Sequence, residues 1–207
     1  MKLTLMLIAI AIAGFALPLL FVSDIEGLYN TYGFSAGNLI ARPYVLVTSV
    51  FLHGSLLHLL SNIFVLFFFG AAVERETGAR MLAIFFIGAF AGDMLSLFFY
   101  GTTAIGASAG VFALVGAGML MRPIDISFYP LIVPVPLALL GMMYAAYNAY
   151  GLFFDAESNI AYMAHFGGLL AGLLFGFRHK GMKRGIRIIL VAFLAMIAAG
   201  ITLMMLA

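Results

Sequence analysis

Seven apolar runs, at 3–22, 55–73, 80–100, 107–121, 131–153, 159–177 and 186–206, account for most of the chain, and each is near the ~20 residues a helix needs to cross a bilayer. Such a chain has few folds open to it. Hydrocarbon offers no hydrogen-bond partner to a bare backbone, so a spanning segment must be a helix or part of a closed barrel, and runs of this length are helices. The predicted fold is an all-α, polytopic membrane helix bundle. Composition agrees, since 65% of residues are hydrophobic and 9% charged, against about a quarter charged in a soluble domain. Residues 1–207 read as a single membrane domain with no soluble linker.

Some features exclude chemistry without suggesting any. The chain has no cysteine, so disulfides, thiolate nucleophiles and cysteine-held metals are ruled out. The net charge of +2 reads as topology signalling, and no nucleic-acid partner is expected. The first run follows Lys2 and extends through Pro18-Leu-Leu-Phe-Val, longer than the core of a secretory signal, so it is expected to be a retained span. The stretch 24–42 mixes Gly, Asn, Tyr and Ser with Ile25, Leu28, Phe34 and Leu39, and reads as a loop dipping against the membrane surface.

Orientation follows from the basic residues, which are retained on the cytoplasmic side. With the N-terminus inside, Lys2, Arg75, Arg80, Arg122, Arg178, Lys180, Lys183, Arg184 and Arg187 are cytoplasmic and only Arg42 is outside. Asp24, Glu26, Asp155 and Glu157 then lie in outward loops. The basic stretch 178–187 is read as a topology anchor rather than a lipid-recognition site.

Within this frame four polar side chains stand out. His58, Asn62, Ser108 and His165 lie inside apolar runs, where an uncompensated polar group is costly and marks a functional site by default. The second, fourth and sixth runs all pass from outside to inside, and His58, Ser108 and His165 each fall within the first two turns of their own run. With a helix start near 159, His165 is about 9 Å down. Three helices thus present polar groups to one layer in the outer leaflet. His58 and Asn62 are four apart and share a helix face, as do Ser108 and Phe112. Gly106 and Gly110 flank Ser108, and Gly168 and Gly172 follow His165; such small residues let helix backbones approach closely. Close approach would bring His165 within reach of Ser108.

A serine hydroxyl is a poor nucleophile without an adjacent base, and an imidazole is a base near neutral pH. Acyl transfer also needs donors for the developing oxyanion, and His58, Asn62 and the Ser108 backbone N–H are suitable groups. No carboxylate is an evident third member, although Asp93 lies alone in the third run. The reading is a Ser108–His165 dyad. Gly-x-Ser-x-Gly at 106–110 also matches the soluble hydrolase elbow, but no strand precedes it.

These residues resemble one family, the rhomboid intramembrane serine proteases. The likeness runs through His53-Gly-Ser-Leu-Leu-His58-Leu-Leu-Ser-Asn62, the stretch 70–78 around Glu74, Gly106-Ala-Ser108-Ala-Gly110, and Ala164-His165-Phe-Gly-Gly168-Leu-Leu-Ala-Gly172. It covers roughly 42–177. The resemblance implies a six-helix core over about 1–178 that opens to water from the outer face, then a basic linker and one extra helix over about 179–207. It implies Ser108 as nucleophile, His165 as base, and His58 and Asn62 as oxyanion-hole contributors. Gly168 and Gly172 match positions where the sixth helix packs on the fourth. Expected partners are transmembrane protein substrates and the lipid bilayer of the cell membrane, with no cofactor and no metal. The family often has Gly after the serine and Tyr four residues on, where this chain has Ala109 and Phe112. Its first-loop Trp-Arg pair is not matched in register; Pro43-Tyr44-Val45 occupies that region.

Other readings attach to the same residues. Asp93, His58 and His165 would suit an ion path in a small transporter, but an odd span count argues against an inverted repeat. A client-binding relative without activity would be expected to lack the serine or the histidine. A zinc site from His53, His58 and His165 is disfavoured by the five-residue spacing of the first pair, and His53 is expected to be solvated at the membrane surface. Pro130, Pro134 and Pro136 cluster at the start of the fifth run, whose outer end at 150–154 is a candidate substrate gate.

Overall fold

A computed structural model describes residues 1–99, 103–129, 133–154 and 160–206. Pro130, Asp155 and Glu157 fall outside them. Each of the seven apolar runs holds a helix. The first is α1 (Lys2–Phe21), followed by three short helices α2 (Ile25–Tyr32), α3 (Ala36–Ala41) and α4 (Val45–Phe51). Next, α5 (Leu56–Val65), a π-helical turn (Leu66–Gly70) and α6 (Ala71–Thr77) make one continuous rod. Then come α7 (Arg80–Ser96), α8 (Ser108–Met121), a hairpin of β1 (Ile126–Tyr129) and β2 (Val133–Pro136), α9 (Leu137–Phe154), α10 (Tyr162–Lys180) and α11 (Met182–Leu206).

Among the described residues, four rods are long and apolar enough to cross a membrane by themselves: Lys2–Phe21, Leu56–Thr77, Leu137–Phe154 and Met182–Leu206. With the other apolar helices they make a multi-pass membrane protein. The shortest of the seven is α8, whose 14 residues reach only about 21 Å against a hydrocarbon core of about 30 Å. It is also buried on every side from Ala109 to Met121, as expected of a helix that is apolar all round. The helices α7, α8 and α10 pack most closely. By contrast α1 buries only Thr4, Leu7 and Ala11, and α11 only Gly185 and Ala192, so both present apolar flanks outward.

The stretch 24–42 is more ordered than a surface loop. Asp24 and Ser35 cap α2 and α3, accepting from the Gly27 and Asn38 N–H groups at 2.8 and 3.2 Å; such side-chain caps supply partners for the orphan donors of a helix start. Phe34 and Ala104 exchange backbone hydrogen bonds at 2.8 Å in both directions. The Tyr29 hydroxyl donates to the His53 carbonyl at 2.8 Å. This region is therefore tied directly to the segment entering α8.

The fifth run also begins later than its composition suggests. Residues 126–136 include an antiparallel ribbon pairing Ile126 with Pro136 and Phe128 with Pro134, and the helix starts at Leu137. Pro134 and Pro136 have no N–H to donate, and each strand of a two-stranded ribbon is an edge that tolerates this. Alternate prolines suit that period of two better than a helix start.

The rods are fastened at one end by charge. Glu76 accepts from Lys180 Nζ at 2.7 Å and meets His179 at 2.9 Å, while Asp125 accepts from Arg75 at 2.7 Å and Arg122 at 3.1 Å. Burial alone would raise the Asp125 carboxyl, but these guanidinium hydrogen bonds outweigh it and hold the group below the usual range. Beside them, Glu74 accepts from the Leu3 and Thr4 N–H groups at 3.1 and 2.9 Å and the Thr4 hydroxyl at 2.6 Å, a carboxylate on a helix N-terminus.

Candidate active site

Ser108 is the first residue of α8, at the end of the molecule remote from that charged cluster. Ala107 is the N-cap, and the first backbone bond of the helix runs from Val111 N–H to the Ala107 carbonyl at 2.9 Å. The N–H groups of Ser108, Ala109 and Gly110 precede it and belong to the donors every helix start leaves unused. They also carry the positive end of the helix dipole, which favours a developing negative charge.

The chain enters this turn through Gly106, whose φ of 118° suits glycine alone. Its N–H donates to the Ser49 carbonyl at 2.8 Å. A Cβ there would stand 2.6 Å from His58 Nε2, so the imidazole lies directly on the backbone leading to Ser108. Gly106→Ala should therefore both strain the backbone, by about 1–3 kcal/mol, and displace His58. The expected result is a lower unfolding temperature in detergent and slower reaction of Ser108, read by thermal melt and probe labelling.

His58 is the third residue of α5 and His165 the fourth of α10. Both, like Ser108, lie in the first turn of their helices. Because α10 starts at Tyr162, His165 is only about 4.5 Å into it, half the depth expected from a start near 159. Asn62 is buried, and its Nδ2 donates to the His58 carbonyl at 3.1 Å, holding the amide over the turn that carries His58. That leaves the second amide hydrogen for another acceptor.

His53 departs from expectation. It is 0% exposed rather than solvated, with Nδ1 3.2 Å from the Phe51 carbonyl, its ring edge-on to His58 at 5.0 Å, and Nε2 buried without a hydrogen-bond partner among the described residues. Burial, with a smaller contribution from His58, pushes its pKa down to about 4. Its backbone carbonyl is also held, by the Tyr29 hydroxyl at 2.8 Å. His53 thus buttresses His58 as an uncharged ring.

The His165 ring stacks on Phe112, with centroids 4.4 Å apart and planes within 7°. Phe112 lies one turn below Ser108 on the same helix face, so the stack sets His165 on the Ser108 side of α8. Close helix packing makes the stack possible. A Cβ at Gly168 would collide with the Ala109 carbonyl, and one at Gly172 with the Ala113 carbonyl, so the backbones of α10 and α8 touch. Gly110 does not face α10; a Cβ there would meet the Phe85 ring and carbonyl of α7 at 2.8 and 2.9 Å.

No hydrogen bond joins Ser108 to His165 among the described residues. His165 instead places Nδ1 3.0 Å from Oδ1 of Asn148, a buried residue of α9. Sequence reasoning passed over Asn148, although it too is a polar side chain in an apolar run. Asp93 is buried on α7, and its carboxyl bonds neither His165 nor Ser108 among the described residues. The arrangement therefore combines a hydroxyl at a helix N-terminus, an imidazole held flat on the aromatic ring one turn below it, and amide and imidazole groups on a third helix. These are the components of acyl transfer through a serine.

A model of the Rhomboid domain matches residues 41–182. The chain is 34% identical over 134 residues to RHOMBOID-like protein 4 of Arabidopsis thaliana, covering 64% of this chain and 33% of that protein. It is 27% identical over 164 residues to the mitochondrial RHOMBOID-like protein 12 of the same plant, covering 69% and 48%, and 32% identical over 134 residues to its mitochondrial RHOMBOID-like protein 6, covering 64% and 42%. The chain thus spans a third to a half of the length of the curated relatives it matches.

Proposed function

Since the chain belongs to the rhomboid family, we propose that it is an intramembrane serine endopeptidase that cleaves peptide bonds in or near the transmembrane segments of other membrane proteins. The observation that carries this reading is the His165 ring stacked on Phe112, one turn below Ser108. Ser108 Oγ attacks the scissile carbonyl while its proton passes to His165 Nε2. The oxyanion takes hydrogen bonds from the Ser108 N–H, Asn62 Nδ2 and the His58 ring. His165 then delivers the proton to the leaving amine as the C–N bond breaks, and water hydrolyses the acyl-enzyme with His165 again as base.

The helix set supports a core through about residue 178 with α11 added at its side. We place the N-terminus and the charged cluster of Glu76, Arg122 and Lys180 on the cytoplasmic side, by the excess of basic residues there. The site then opens to the extracytoplasmic face of the cell membrane. The non-helical residues 103–107 lead directly into Ser108, and irregular backbone is tolerated at membrane depth where it is buried in protein or lines a wet cavity. A substrate helix must unwind locally to present its carbonyl, so Gly or Ala near the cleavage point is expected to be favoured.

The test is a fluorophosphonate probe on the purified protein in detergent, with the modified residue mapped by mass spectrometry. Labelling at Ser108 that disappears in His165→Ala is expected. Absence of labelling in folded protein would move the reading to a client-binding relative or a transporter. Asn62→Ala is expected to lower the cleavage rate by ~10- to ~1000-fold, as for loss of a single oxyanion donor. An unchanged rate would remove Asn62 from the oxyanion site.

A further inference from the structure

We propose that Asn148 is the positioning residue of the base: it holds His165 as the Nδ1–H tautomer, so that Nε2 carries the lone pair that receives the Ser108 proton. The inference rests on the protease reading and extends it to a third helix, α9. Its basis is the hydrogen-bond pattern around one amide. Asn148 Nδ2 lies 3.1 Å from the Tyr162 carbonyl oxygen, which can only accept, so the amide nitrogen must face it. Oδ1 then faces His165 Nδ1 at 3.0 Å and can itself only accept. His165 Nδ1 must therefore carry the hydrogen of that bond, and in a neutral imidazole Nε2 is then bare.

The packing makes this arrangement difficult to reverse. Asn148 is 2% exposed, and an amide so placed in an apolar helix is costly unless both its ends are bonded. Gly151, one turn further along α9, would drive a Cβ into the Tyr162 ring, so the backbone of α9 approaches the first turn of α10 closely. The Tyr162 ring stands edge-on to His165, 6.4 Å away and at 90°.

Phe112 and Asn148 do different things to the imidazole. Stacking at 4.4 Å sets the plane of the ring, but a half-turn about its bond to Cβ leaves that plane unchanged and exchanges the sides on which the two nitrogens lie. Only a directional partner for one nitrogen selects between the two orientations. Asn148 is that partner, whereas Asp93 and the other carboxylates make no bond to the ring among the described residues.

The experiment combines a spectroscopic readout with kinetics. In protein carrying ¹⁵N-labelled histidine, with the His165 signal assigned by its loss in His165→Ala, the wild type should show a protonated Nδ1 and a bare Nε2 at neutral pH. A protonated Nε2 in the wild type would overturn the proposal, and that reading needs no Asn148 variant to fold. Asn148→Ala should show a mixture of tautomers. Its kcat on a transmembrane substrate should fall roughly 10- to 100-fold, the scale of a misplaced catalytic group, with KM changed less than about two-fold and probe labelling of Ser108 slowed in parallel. Asn148→Asp, which keeps an acceptor, should recover most of the rate, and Asn148→Leu should not. Equal kcat in Asn148→Ala and wild type would overturn the role. Wild-type protein that neither cleaves nor labels would instead overturn the protease reading, and the tautomer measurement distinguishes that failure from loss of the Asn148–His165 bond.

Discussion

Ser108→Ala and His165→Ala should each reduce cleavage of a transmembrane substrate on the order of 10⁴-fold or more, while the thermal unfolding of both variants in detergent stays close to that of the wild type. Residues acting as one nucleophile–base unit lose nearly the whole effect when either is removed, which is the basis of that magnitude. The double variant should therefore be no slower than the single ones. Stability should hold because neither side chain fills the core. Ser108 opens α8, while Ala109 to Met121 behind it are the buried residues, and removing His165 takes away a stacked ring without disturbing the Gly168 contact one turn on. Cleavage by His165→Ala at the wild-type rate would show that another group takes the proton. A large loss of stability in Ser108→Ala would show that the hydroxyl serves packing.

Gly168→Val should remove activity by a different route, through the fold. A side chain at this position enters the space of the Ala109 carbonyl, a backbone atom at the second residue of α8 that cannot rotate away. The two helices must then separate, and overpacking of this kind costs about 1–3 kcal/mol. His165, three residues earlier on the same helix, moves with the backbone, so activity should fall below detection even where the protein still folds. Gly172→Val should act alike through Ala113. Gly200→Ala on α11 is the control, since a Cβ there meets nothing within 4 Å and should leave melting temperature and rate unchanged. Wild-type activity in Gly168→Val would mean that α10 need not touch α8 for catalysis.

The success of the sequence reading and its errors have the same origin. Lipid as solvent makes a spanning segment satisfy its own backbone, so every span leaves a local record of apolar length, and the seven runs lie where α1, α5–α6, α7, α8, α9, α10 and α11 are found. The same solvent makes polar side chains expensive, which is why His58, Asn62, Ser108 and His165 could be picked out unaided. Errors occur where the chain leaves the span regime. Residues 24–42 form two capped helices instead of a surface loop, because Asp24 and Ser35 act over only three residues and the contact of Phe34 with Ala104 joins segments far apart in the chain. At 133–136, hydrophobicity concealed a strand whose two prolines carried the better signal. His53 resembles any surface histidine until the fold buries it against His58.

The sequence by itself determined the class of molecule, the number of apolar runs, and the identity of the residues whose presence in lipid needs a reason. These depend on the partition of each residue between lipid and water, and that preference is carried by the residue and its immediate neighbours. Tertiary structure alone decided which polar groups meet: His165 flat on Phe112, its Nδ1 on Asn148 of another helix, and His58 against Gly106. Such pairings depend on how helices rotate and how closely their backbones approach. A span's own composition constrains neither, because lipid faces any apolar flank equally well and only contact with a partner helix distinguishes one flank from another.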